Sequence, residues 1–247
     1  MLPARAAHSI HLIVLSVLVL FGCFGAESKQ VPFEDKTVDP KVAAEVSFDF
    51  EKFEVGQMPP GFTTALTGGG GAAAWTIEED ASSPAGAKVL AQTSDDRTNK
   101  RFPVCVHNDV TGKDVAVTVH FKAMSGEVDQ AAGIVWRFKD KDNYYVVRAN
   151  ALENNVVLYK VEGGTRTDLK IKGGGSDYGV KAPVPAAQWN KLRVRAVGDT
   201  FTVYLNDKAL FAVEDKTFTE PGKVGLWTKA DSVTRFDNLH IQRFDAK

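Results

Sequence analysis

The chain predicts an all-β fold, a two-sheet antiparallel β-sandwich. Apolar and polar residues alternate with period two through most of its length, and the alternating runs are short and separated by Gly, Asn and Asp turns. No window repeats apolar residues at helical spacing. Successive side chains of a strand point to opposite faces, so alternation marks a surface that is dry on one side.

Strands are expected over 46–50, 74–79, 88–91, 101–106, 114–123, 130–138, 144–149, 155–162, 168–172, 191–197, 200–205, 209–214, 223–228 and 234–243. The turns between them fall at Gly68 to Gly71, Ser125-Gly126, Gly163-Gly164, Gly173 to Ser176, Val197 to Thr200 and Asn206-Asp207. Faces follow from parity. Ile134 and Trp136 oppose Val135 and Arg137, and in the next strand Tyr144, Val146, Arg148 and Asn150 oppose Tyr145 and Val147. Leu192, Val194 and Ala196 point inward while Lys191, Arg193 and Arg195 meet water. Phe201, Val203 and Leu205 repeat the inward set, Leu210, Phe211, Val224 and Leu226 extend it, and Leu239 with Ile241 close it. Trp227 has the parity opposite to Leu226. About 200 residues from Glu45 onward suit one sandwich, which can run to about 250 residues as a single domain. No repeat at solenoid or propeller periods is visible.

Ahead of that domain, Arg5 is the one formal charge before Glu27, and residues 10–21 are apolar apart from His11 and Ser16. A basic start and a short apolar run match a secretory signal peptide over residues 1–22. A membrane span needs about 20 apolar residues. The run Leu20-Phe21-Gly22-Cys23 resembles a bacterial lipobox, which implies lipidation at Cys23, with 23–44 as a tether and 45–243 as the folded domain. Phe24 following the cysteine implies outer-membrane anchoring; otherwise the protein is periplasmic or secreted. Cys105, the other cysteine, then has no disulfide partner, and its apolar setting predicts a buried, inert thiol.

The formal net charge is −1 over 247 residues, with no dense Lys/Arg stripe, which excludes a nucleic-acid partner. No histidine spacing suits zinc, and the glycine runs lack the Lys-Ser/Thr of a phosphate loop, so neither metal nor cofactor is expected. Asp140-Lys141-Asp142-Asn143 offers too few oxygens for calcium and reads as a turn.

Four stretches occur in a telling order: Trp189 to Val194, Phe201 to Asn206, Gly222 to Trp227 and Phe236 to Leu239. Together they are similar to the C-terminal half of laminin-G-like and concanavalin-like lectin/glucanase domains, and they resemble the related bacterial 3-keto-disaccharide hydrolases. Phe48-Asp49-Phe50, with Gly56 and Pro60-Gly61-Phe62, fits the opening strand and loop of those domains. The resemblance covers about residues 45–243 and implies a concanavalin-like jelly roll.

Laminarinase-type enzymes of that fold carry Glu-x-Asp-x-x-Glu, and retaining hydrolysis needs two carboxyls roughly 5 Å apart. Here Glu127-Val128-Asp129 is followed by Ala131 and Ala132, so the acid/base is missing and a solvated hairpin turn is expected. No catalytic residue is therefore assigned. The ligand-binding candidates are Arg137, Tyr144, Arg148, Asn150 and Trp227, because rings can stack on pyranose faces while Arg and Asn serve hydroxyls. The expectation is a non-catalytic carbohydrate-binding envelope lipoprotein. The alternatives are a glycoside or 3-keto-disaccharide hydrolase, with Asp129, Glu127, Asp237 and Arg148 as first suspects, and a protein-binding adhesion module.

Overall fold

The structure is a computed structural model that describes residue 1, residues 33–174 and residues 178–245. The chain divides into two compact units, Met1–Val31 and Pro32–Lys247, and among the described residues the strands lie in the second. The signal and Cys23 expectations fall outside the described residues.

The strands in chain order are β1 (Val42–Phe48), β2 (Phe62–Gly68), β3 (Trp75–Glu79), β4 (Lys88–Gln92), β5 (Arg101–Gly112), β6 (Val115–Ser125), β7 (Ala131–Asp140) and β8 (Asn143–Asn150). Then follow β9 (Asn155–Glu162), β10 (Thr165–Asp168), β11 (Val180–Lys181), β12 (Asn190–Val197), β13 (Thr200–Leu205), β14 (Lys208–Glu214), β15 (Gly222–Trp227) and β16 (Val233–Phe244). Sheet A runs β14-β13-β12-β6-β16-β4-β3, with β1 following β4 along the same side of β16. Sheet B runs β10-β9-β8-β7-β15-β5-β2, with β11 beside β9. All named pairings are antiparallel.

The expected sandwich is therefore what forms, with four departures in detail. β2 breaks the period-two rule, because Phe62 is buried and the next fully buried residue is Thr67. β11 has two residues, too few for any periodicity. The strand expected over 168–172 resolves into β10, ending at Asp168, and a single bridge from Ile171 to Val213. β1 begins at Val42, inside the expected tether, and the tether's Asp35 and Asp39 bond to Tyr204 and Arg195 on sheet A.

The main core lies between the sheets. Val117, Val119 and Phe121 of β6, Leu192 and Val194 of β12, and Leu239 and Ile241 of β16 meet Ile134, Trp136, Tyr145, Val147, Leu158 and Leu226 of sheet B. Cys105 is fully buried here, and that burial pushes its thiol pKa up. Gly225 is needed where β15 meets β5, because a Cβ there would stand 2.2 Å from the Cys105 carbonyl oxygen.

Sheet B has a second apolar cluster on its other face, formed by Phe102, Val104, Ala131, Val135, Phe138, Tyr144, Val146, Val157, Tyr159, Val161 and Trp227. Strand twist accumulates across a sheet, and here it brings distant strands together. Thr67 on β2 hydrogen-bonds the Lys141 carbonyl and stands 2.8 Å from the Tyr144 hydroxyl, although β2 and β8 are four strands apart in the ladder. Arg166 of β10 places its guanidinium carbon 4.8 Å from the Phe102 ring of β5, five strands away. Sheet B is thus curled so far that its outer face becomes a small core.

Two expected outcomes follow from these packing facts. Phe102→Ala removes the ring on which Trp227 stacks and costs about 3 kcal/mol or more by urea unfolding, whereas Phe102→Leu costs less. Cys105 stays inert to Ellman's reagent in the native protein and reacts on unfolding; rapid native labelling would contradict its burial.

Candidate functional site

Parity placed Tyr144, Arg148, Asn150 and Trp227 on one face, and the structure puts all four on the outer face of sheet B. Trp227 pairs with Gly133, and Gly133 in turn pairs with Arg148. Gly133 leaves the slot that Trp227 fills, since a Cβ there would lie 3.1 Å from the indole.

Arg137 does not join them. The ladder shifts between Trp136 and Asp140, Arg137 takes a φ of +47°, and its guanidinium turns to the end of the sandwich. There it donates to the carbonyls of Lys113 (3.0 Å), Phe218 (2.7 Å) and Gly198 (2.5 Å) and stands 5.2 Å from the Phe201 ring. Simple alternation fails at a bulge, because one extra residue reverses the facing of those beyond it. Tyr144 and Trp227 need a second correction, since both are fully buried. Trp227 stacks on Phe102 with centroids 5.4 Å apart, and Tyr144 packs 5.5 Å from Phe138, so neither ring is open to stack on a sugar.

Arg148 and Asn150 instead anchor a polar network at the end of the second cluster. Arg148 donates from Nη1 to Asn155 Oδ1 (2.5 Å) and from Nη2 to Glu153 Oε2 (2.9 Å), Tyr178 Oη (2.8 Å) and Tyr159 Oη (3.2 Å). Asn155 Nδ2 also donates to Glu153 Oε2, at 2.9 Å. Next to this group, Asp129 accepts from Asn150 Nδ2 and pairs with Lys229 Nζ. Asn150 Oδ1 takes the Leu152 amide at 2.9 Å, which ties β8 to the loop bearing Glu153.

Asp129 is held from behind. Asp231 accepts the backbone amides of Glu127 (2.7 Å), Val128 (3.1 Å) and Asp129 (3.0 Å), which fixes the loop before β7. The turn expected at Glu127-Val128-Asp129 is therefore solvated at Glu127 and buried at Asp129. Of the four hydrolase suspects, Asp129 and Arg148 share this site. Glu127 is exposed and paired with Arg97 at 2.7 Å. Asp237 is on sheet A, buried and bonded to Ser83, to the Ala85 amide (2.9 Å) and to the Asn238 amide (2.6 Å).

Glu153, Asn155, Lys229, Tyr159 and Tyr178 were not singled out from the sequence. A signal existed for Asn155 and Tyr159, since Asn155 pairs with Asn150 across the turn and Tyr159 continues the same parity. Lys229 and Tyr178 come from loops, where periodicity says nothing. The rim of the site gathers three exposed apolar residues, Val128, Leu152 and Tyr178, at 41%, 49% and 44% relative exposure. Tyr178 is the aromatic residue there that faces solvent. At the far turn, Asp140 Oδ1 accepts the Asp142 amide and Asn143 Nδ2, both at 2.8 Å, which closes a side-chain-capped turn. Among the described residues no group of three or more His, Cys, Asp or Glu is placed to hold a metal.

The two carboxyls of the site are driven in opposite directions. Burial raises the Asp129 pKa and outweighs the opposing pull of Lys229 and Arg148. Burial acts the same way on Glu153, but there Arg148 and Asn155 win and its pKa falls below the ordinary value. Asp129 therefore favours folding most when protonated, and that contribution is lost as pH rises through its raised pKa. Glu153 stabilises above its unfolded-state pKa and loses the effect as pH falls through the depressed one. Carboxyl-carbon NMR titration is expected to show Asp129 titrating above, and Glu153 below, their model-peptide values; the reverse order would refute this electrostatic picture.

With the fold and network in view, comparison with known proteins places the chain. A family model described as a 3-keto-alpha-glucoside-1,2-lyase-like domain matches residues 62–242. The levanase of Bacillus subtilis (strain 168) is 26% identical over 135 residues, which is 53% of this chain and 18% of levanase, so the match spans under a fifth of that enzyme. The carbohydrate-binding module CBM66 from Bacillus subtilis aligns with a TM-score of 0.56 at 21% identity, over 74% of this chain and 95% of the module. Domain 4 of AbnA, a GH43 extracellular arabinanase from Geobacillus stearothermophilus in complex with arabinotriose, aligns with a TM-score of 0.50 at 15% identity, over 85% and 96%. These two structures share the sandwich fold. The family model spans most of the sequence, and the chain belongs to the 3-keto-alpha-glucoside-1,2-lyase-like domain family.

Proposed function

We propose that this protein binds carbohydrate at the polar end of the outer face of sheet B. One observation carries the reading: two hydrogen-bonded groups, Arg148 with Asn155 and Glu153, and Asp129 with Asn150 and Lys229, adjoin where Asn150 Oδ1 takes the Glu153 amide at 3.4 Å, and they open beside the exposed Tyr178 ring. Carboxylates accept from hydroxyls, Arg and Lys donate to them, and an exposed ring covers the apolar face of a pyranose or furanose. A levanase, a carbohydrate-binding module and an arabinanase domain among the similar proteins support the same ligand class. A second reading is favoured by Asp129, a buried carboxyl with a raised pKa beside Lys229. A 1,2-lyase acting on a 3-keto-glucoside must remove the proton at C2, next to the ketone, and Asp129 is the base we assign to that step.

We also propose that the protein is exported and anchored through Cys23, a reading supported by the apolar run over 10–21 and the Leu20 to Cys23 motif. An acylated Cys23 as the mature N-terminus, seen by mass spectrometry of protein expressed with its own leader, is the expected result. Cleavage elsewhere would overturn the anchor.

Binding is tested on a panel of fructan, arabinan and glucoside oligosaccharides, with products checked after incubation. Binding without turnover is expected; silence on every glycan would overturn the carbohydrate reading. Tyr178→Ala should weaken binding roughly fivefold to tenfold while Tyr178→Phe loses less, as expected for a stacking ring. If a 3-keto-glucoside is consumed, Asp129→Asn should abolish turnover with the fold retained, and undiminished turnover in that variant would remove Asp129 as the base.

A further inference from the structure

β10 is the short edge strand of sheet B, and Arg166 is its one half-buried residue. The Arg166 guanidinium reaches in from that edge and rests between two rings, 4.4 Å from the centroid of Tyr159 and 4.8 Å from that of Phe102. Its Nη1 is buried and has no hydrogen-bond partner, and Arg166 forms no ion pair among the described residues. Asp168, two residues along the same strand, does not pair with it.

Arg148 repeats the pattern from the other neighbour of β9. Its guanidinium carbon lies 5.9 Å from the centroid of the same Tyr159 ring, and its Nε is likewise buried without a partner. The acids nearby are already committed, Glu153 to Arg148 and Asn155, and Asp129 to Lys229 and Asn150. Two cationic side chains therefore flank one tyrosine, each with one buried donor unspent; Glu153 answers the charge of Arg148, and among the described residues the charge of Arg166 is left unanswered. Buried donors are almost always satisfied, and a charge held away from water without a counterion is costly. A chain that keeps such a pair is arranged to receive acceptor oxygens from outside.

We propose that the ligand of this face is an acidic oligosaccharide, its anionic group received by the half-buried guanidinium of Arg166 beside Tyr159, with Arg148 as the second positive charge on that ring. A guanidinium presents a planar fork of donors that matches a carboxylate or a sulfate ester, and it does so better than an ammonium does. Arg166 comes from an edge strand that begins after the Gly163-Gly164 turn, and its side chain is only half buried, so part of it remains open to solvent. This inference rests on the carbohydrate reading above and names the substrate class.

Calorimetry with three matched probes tests it: an oligogalacturonate, its fully methyl-esterified form, and a sulfated galactan oligomer. At least one anionic probe should bind on the order of tenfold more tightly than the neutral ester. The advantage should shrink as salt is raised, and the two anionic arms separate carboxylate from sulfate as its source. Arg166→Gln should erase the advantage without changing the affinity for the ester. Arg166→Lys, which keeps the charge and guards against a mere folding defect, should retain part of it. Equal or tighter binding of the ester by the unaltered protein would overturn the acidic preference and leave the carbohydrate reading standing. An unchanged preference in Arg166→Gln would overturn the assignment to Arg166. No binding of these probes or of any neutral oligosaccharide would overturn both readings together.

Discussion

Because the strands of sheet B carry apolar side chains in both directions, neither of its faces can be left to water, and the fold has to bury each. The inner face is covered by sheet A, as in any sandwich. Among the described residues the outer face has no third layer of strands, and the sheet curls until β2 reaches the β7–β8 turn and β10 reaches β5. Each fully buried Val, Leu or Phe side chain contributes about 1.5–3 kcal/mol, so the second cluster is a substantial share of what holds the domain. The positions of Arg148, Asn150 and Tyr159 depend on this curl, for they share a face with its apolar members.

A polar network at the margin of a small core has to be complete to be tolerated. Arg148 meets Asn155, Glu153, Tyr159 and Tyr178, and Asp129 meets Asn150 and Lys229, so the ionised groups are largely answered within the chain. Low local dielectric strengthens each of these bonds and raises the cost of losing one. The network is consequently stiff, and its first members are set before any ligand arrives. Asp231 extends that stiffness to the backbone by taking three successive amides of the loop that carries Asp129.

Much of this was legible in the sequence, and the misses have physical causes. Alternation found the sandwich and put Tyr144, Arg148, Asn150 and Trp227 on one face. It missed the facing of Arg137, because a bulge is local backbone geometry that hydrophobic pattern does not encode. Parity also says which way a side chain points but not what covers it, so Trp227 and Tyr144 looked available when the curl had buried them. Asp129 was judged with its exposed neighbours Glu127 and Val128, and its burial depends on Lys229 and Asp231, about a hundred residues later. Contacts of that span leave no trace in a single sequence.

The place of β16 in the ladder bears on when the domain can exist at all. This strand sits inside sheet A, paired with β6 along one side and with β4 and β1 along the other, and its register reaches from Val42 to Phe244. Pairings this distant make for high contact order and slow folding. Until the ribosome has delivered the residues near 244, sheet A lacks the strand that joins its two halves. A nascent chain of this topology therefore stays open until that strand has been made, a state in which it needs protection from aggregation and in which it can still be threaded through a narrow pore.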